Sequence, residues 1–257
     1  MKKNALSRRG IAVLSAWLVL FFFAGCDRKD GIQPSGSVQF TFSHVCGDQP
    51  LQLNTTEYTN AAGEPFRVQL FKYYISNIRF RRADGSEFVQ PESYYLVDEA
   101  TTSSKTFTIP NVPEGSYTGI NFIIGVDSTR NVSGAQTGAL DPINGMFWTW
   151  NTGYIFVMLE GESPVSTAEG NRLRYHIGGF RNPNNIRTVS PSLNGSRIAV
   201  TGGSKAIVNF RVNVAQMFES PNPISFVQTP TLMFDPATAL IADNYVDMFS
   251  VVSVTQP

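Results

Sequence analysis

The sequence predicts an all-β domain: an antiparallel β-sandwich of Greek-key or immunoglobulin-like type, with one short C-terminal helix. Three observations lead there. Apolar and polar residues alternate with a period of two along most of the chain, as half-buried strands require. Turn signals such as Asp84-Gly85 and Pro113-Glu114-Gly115-Ser116 recur at short intervals. Clear helical spacing occurs in one stretch only.

From the N-terminal end, Val38, Phe40 and Phe42 alternate with Gln39, Thr41 and Ser43, giving a first half-buried strand. Residues 68–80 (VQLFKYYISNIRF) are rich in aromatic and β-branched side chains. Short strands fit 94–97 and 107–109. In 117–126, Ile120, Phe122, Ile124 and Val126 share one face. Further strands fit 154–159, 172–177, 197–200 and 206–214. The helix falls near the end: Asp235 can cap it, Pro236 suits its first position, and Leu240, Ile241, Asn244 and Met248 follow helical spacing. The loop 127–145 is long enough to carry function, although an irregular connection fits it equally. No solenoid repeat and no internal linker divide the chain, so 38–257 reads as a single domain.

The first 25 residues read as a secretory signal. Lys2, Lys3, Arg8 and Arg9 precede the apolar run 11–23, which is too short for a comfortable membrane span. The run ends in Phe23-Ala24-Gly25-Cys26, similar to the lipobox of bacterial lipoproteins. Cys26 is the expected lipidation site, holding the protein to a membrane without a spanning helix. Residues 26–37, polar and rich in Gly and Pro, make a flexible tether. The expected location is a membrane-anchored lipoprotein, periplasmic or at the outer-membrane surface.

The whole chain balances 20 basic against 20 acidic residues. Loss of the leader leaves 16 basic against 20 acidic, a net −4. Such a surface argues against nucleic acid as a partner. With Cys26 lipidated, Cys46 stands alone and no internal disulfide can form. No nucleophile elbow, phosphate loop or zinc-protease helix is present, so the chain is not expected to be an enzyme.

The residues that could carry chemistry are few. His44 and Cys46 continue the inward row of the first strand, so they fall side by side at one end of the core face. An imidazole beside a thiol suits a soft metal such as Cu(I); one hydrogen-bonded histidine and one small buried thiol is the plainer alternative. His176, the other histidine, falls on the face opposite Leu173, Tyr175 and Ile177. The densest aromatic motif is 145–154 (GMFWTWNTGY), where Met146, Trp148 and Trp150 share a face if the chain is extended. Core packing and a stacking platform for a sugar ring are both open for it.

Several stretches together resemble the MbnP-like family of copper-associated exported proteins, particularly its lipoprotein members. They are Phe42-Ser43-His44 with 47–51 (GDQPL), 71–78 (FKYYISNI), Gly125-Val126-Asp127, the motif 145–154, His176-Ile177-Gly178-Gly179, and 241–245 (IADNY) with Met248-Phe249. They span about residues 38 to 250. The resemblance implies a β-sandwich and a di-haem partner of the cytochrome c peroxidase type. It also implies a tryptophan oxidised to kynurenine, here Trp148 or Trp150, and copper held with help from His44 and His176; Cys46, which alternation places beside His44, is a further candidate donor from the residues themselves. The function so implied is copper acquisition or handling without catalysis; the alternative is a metal-free binding module for protein or glycan. The tail 250–257 and the segment 220–224 lack histidines that relatives carry there.

Overall fold

Alternation becomes strand wherever the period of two is clear. A computed structural model describes residues 33–134, 136–149 and 152–256; the expected leader, Cys26 and Trp150 fall outside the described residues. The principal strands are β1 (Ser35–Cys46), β2 (Pro65–Arg82), β3 (Tyr94–Asp98), β4 (Thr106–Pro113), β5 (Gly115–Ile124), β6 (Phe147–Thr149), β7 (Gly153–Glu162), β8 (Arg172–Gly178), β9 (Lys205–Asn213) and β10 (Phe249–Thr255). Two short α-helices, α1 (Ser128–Asn131) and α2 (Thr238–Asn244), join them. Among the described residues no helix is long and apolar enough to cross a membrane.

One sheet has the order β10-β9-β1, with β4 on the other edge of β1. The second runs β5-β2-β7-β8, with β3 also paired to β2 and β6 to β7. Their inner faces close on one aromatic-rich core. Phe42 stacks on Phe210 within the first sheet at 4.9 Å, and Phe122 of the second meets Phe210 edge-on at 6.0 Å. The sandwich is therefore all-β as expected. It is not wholly antiparallel, because β1 and β9 pair in parallel from Ser37 with Lys205 to Val45 with Asn213. A parallel pair cannot be closed by a hairpin. Between β1 and β9 the chain lays β4 along the other edge of β1 and builds all the principal strands of the second sheet.

Other details depart from the expectations. β1 begins at Ser35, inside the stretch assigned to the tether. Gly36 allows this, since a β-carbon there would stand 2.6 Å from the Thr201 carbonyl oxygen. Val126 does not share a face with Ile120, Phe122 and Ile124. The strand ends at Ile124, and Gly125, at φ +117°, turns Val126 to the outer side of the sheet. Helix α2 starts at Thr238, after a turn in which Asp235 accepts from the amide of Ala237. Ile241, Asn244 and Met248 are buried, but Leu240 faces solvent. The tail after Phe249 is an edge strand, β10.

The loop 127–145 is not a free excursion. Asp127 caps α1 through the amides of Thr129 and Arg130. Tyr74 and Tyr154 donate their hydroxyls to the carbonyls of Ala139 and Leu140 at 2.9 and 2.6 Å. The loop roofs a second apolar cluster on the outer face of the second sheet, built on Tyr74, Met146, Tyr154, Phe156 and Met158. This layer positions Trp148.

Candidate metal-handling face

His44 and Cys46 lie on one face of β1, both buried. The His44 imidazole is wholly inside the sandwich and both its nitrogens are engaged: Nδ1 with Glu99 Oε2 at 2.5 Å, Nε2 with the Tyr73 hydroxyl at 2.8 Å. Burial holds the Tyr73 phenol well above its usual pKa, so it keeps its proton and donates to Nε2 while Nδ1–H donates to Glu99. Lys105 binds the same Glu99 oxygen at 3.0 Å. Burial opposes the Glu99 carboxylate, but the hydrogen bonds from His44 and Lys105 outweigh it and hold its pKa below the ordinary value. For a metal to take Nε2, the Tyr73 hydroxyl would lose its partner in the core, at a cost of about 1–3 kcal/mol. Burial, with Glu219 adding to it, pushes the Cys46 thiol up to about 12, so the sulfur is protonated at neutral pH.

His176 faces the other way. Its neighbours Tyr175 and Ile177 enter the core between the sheets, and His176 lies on the outer face of β8. The second sheet therefore stands between His44 and His176, and the two do not form a joint site. Among the described residues no group of three or more His, Cys, Asp or Glu side chains is placed to hold a metal ion. The expectation of both histidines and Cys46 around one ion fails because the two strands present their histidines to opposite sides of one sheet.

On its own face His176 has the features of a ligand. Nε2 meets Glu160 Oε1 at 2.7 Å, while no described protein group bonds Nδ1. Burial lowers its pKa, and Arg174 adds to that, against the partial opposition of Glu160. The ring is neutral at pH 7, with Nε2–H oriented by a carboxylate and a lone pair on Nδ1. That is the arrangement seen for histidines that bind metals.

Trp148 shares this face. Two residues beyond His176 on β8, Gly178 lies under the indole, and a β-carbon there would meet Cζ3 at 2.8 Å. The outer side of the indole leans on Phe234 at 4.4 Å, with 43° between the rings. Phe234 is 60% exposed and holds φ +54°, an unusual conformation for a bulky residue. With Phe180, Arg181 and Pro183 these rings line a cavity of about 320 Å³. The Arg181 guanidinium lies 5.0 Å from the centre of the Phe180 ring. Asn185 fixes the floor, its side-chain amide donating to the Gly178 carbonyl at 2.6 Å and its backbone amide to that of Gly179 at 2.8 Å.

Sequence reasoning missed Met158, Glu160, Phe234 and Asn185. Register alone brings Met158 and Glu160 beside His176, and register is not written in either strand by itself. Trp150 and Cys26, the other modification candidates, lie outside the described residues.

A family model described as MbnP matches residues 35–234. Among solved structures, MbnP from Methylosinus trichosporium matches with a TM-score of 0.54 at 14% identity, over 86% of this chain and 98% of that one. At that identity the likeness is one of fold. The comparison with curated proteins returned no match.

Proposed function

Because this chain belongs to the MbnP family, we propose that it is an exported, lipid-anchored protein that handles copper without catalysis, on the outer face of the second sheet. One observation carries this reading: Trp148 lies over Gly178 on the same face of β8 as His176, whose Nδ1 is open. His176 and an oxidised Trp148 would hold the metal. Imidazole and the aromatic amine of a kynurenine are neutral donors suited to Cu(I), and copper would bring one-electron redox chemistry to the site. His44 serves the fold, since both its nitrogens are used in the core.

Kynurenine formation needs an outside oxidant. A di-haem partner of the cytochrome c peroxidase type, consuming two peroxides, would supply it. Two oxygen atoms enter as the indole Cγ–Cδ1 bond breaks, and hydrolysis then releases Cδ1 as formate. What the chain contributes is placement: the indole is held half-buried between Gly178 and Phe234, at the wall of an open cavity. Anchoring at Cys26 would keep the protein beside exported partners.

The test is copper content after co-production with such a partner. Wild type is expected to hold one copper per chain and His176→Gln none, while Cys46→Ala stays loaded. Equal loading of wild type and His176→Gln would refute the reading. The same cavity favours a second reading, a platform for a planar or sugar ligand on Trp148 and Phe234. Ligand-induced change in indole fluorescence without copper would support it.

A further inference from the structure

We propose that Met158 supplies a thioether ligand beside His176, so that β7 and β8 carry a two-donor Cu(I) site that exists before any tryptophan is modified. The inference rests on the copper reading above and adds a donor to it.

Met158 and His176 are direct partners in the antiparallel register of β7 and β8. Residues opposed in this way hold their β-carbons about 4.5–5.5 Å apart on one face of the sheet. The shared face is fixed independently on each strand: Val157 and Leu159 flank Met158, Tyr175 and Ile177 flank His176, and all four enter the core between the sheets. Met158 instead belongs to the outer apolar cluster and is 7% exposed, so its sulfur lies in a nearly dry setting.

The two nitrogens of an imidazole point to opposite sides of the ring. With Nε2 turned to Glu160, Nδ1 is directed away from that carboxylate. The charged groups around the pair are Glu160 and Arg174 beside His176, and Lys72, the partner of Met158 on β2, which is bound to Asp98 at 3.2 Å. Glu160 and Asp98 offset the two cations, so a monovalent ion meets little net repulsion.

The donor chemistry selects the metal. A thioether does not titrate and carries no charge, and an imidazole that gives its lone pair to a metal is a neutral donor. Two neutral donors, one of them soft, favour Cu(I) over zinc or magnesium. Cys46, the one thiol among the described residues, is protonated and lies on the inner face of the first sheet.

The test uses the mature protein made without a di-haem partner, titrated with Cu(I) against a chromogenic chelator and then examined by copper K-edge fine structure. One Cu(I) per chain with a sulfur scatterer is expected. Met158→Leu, close in volume, should weaken binding by at least about tenfold and remove the sulfur signal, and Cys46→Ala should change neither. An affinity unchanged in Met158→Leu, or a sulfur signal lost only in Cys46→Ala, would overturn the inference. Binding only after partner processing would overturn it too while sparing the copper reading. Copper bound by neither form would remove both.

Discussion

Trp148 lies so close over Gly178 that a β-carbon at position 178 would stand 2.8 Å from the indole Cζ3 and 2.4 Å from the carbonyl oxygen of Tyr154. Glycine is therefore what lets the aromatic motif sit down on β8 beside His176. Gly178→Ala is expected to destabilise the domain by about 1–3 kcal/mol, as overpacking does, and to alter the tryptophan emission. Urea denaturation and fluorescence check both; a variant with wild-type stability and emission would show that the indole does not rest there.

His44 is expected to matter for folding and not for metal. Removing it leaves the Tyr73 hydroxyl without its partner inside the sandwich and the Glu99 carboxylate with Lys105 alone. His44→Ala should cost about 2 kcal/mol or more in chemical denaturation, with copper affinity retained in whatever fraction folds. Wild-type stability combined with lost copper would reverse the roles assigned to the two histidines.

The lowered pKa of His176 has a definite sign in stability. Its ordinary value is 6.5, and the folded value lies below that. As pH falls past 6.5 the unfolded chain takes up this proton first. The stability His176 contributes is thus complete above 6.5 and is lost as pH falls through the folded pKa. Denaturation midpoints measured from pH 7.5 downward should show this loss in wild type and a smaller slope in His176→Gln. Copper affinity should likewise hold through the usual histidine range and weaken only at lower pH. An NMR titration placing His176 at or above 6.5 would contradict both expectations.

Cys46 should behave as an inert core thiol. Buried and raised to about 12, it is expected to resist alkylation by iodoacetamide at pH 8 in the native protein and to react fully in urea. Rapid native alkylation, prevented by copper, would instead place this sulfur at the metal.

Much of the fold was legible because it rests on local alternation. The rows Val38-Phe40-Phe42 and Leu173-Tyr175-Ile177 enter the core as their period requires. What stayed hidden depends on which strand pairs with which. The parallel pairing of β1 with β9 joins segments more than a hundred and fifty residues apart, and neither carries a mark of its partner's direction. The tail 250–255 (SVVSVT) is rich in β-branched residues, yet its value as an edge strand appears only once β9 is there to pair with it. The candidate site divides in the same way. Alternation correctly sets His176 opposite its neighbours, but a sequence cannot say that His44 and His176 look into different sides of one sheet, nor that Met158 stands across from His176. The long loop carried no visible sign that Leu140 and Asn131 would be buried to roof the outer cluster.

Peptide mapping of the protein, co-produced with a di-haem protein of the cytochrome c peroxidase type and analysed for copper on the same sample, tests the central claim most directly. Oxidation to kynurenine replaces one indole carbon with oxygen, and fragment masses locate the change. The account predicts the change on Trp148, with one copper that His176→Gln removes. An unmodified Trp148 together with copper that persists in His176→Gln would contradict it.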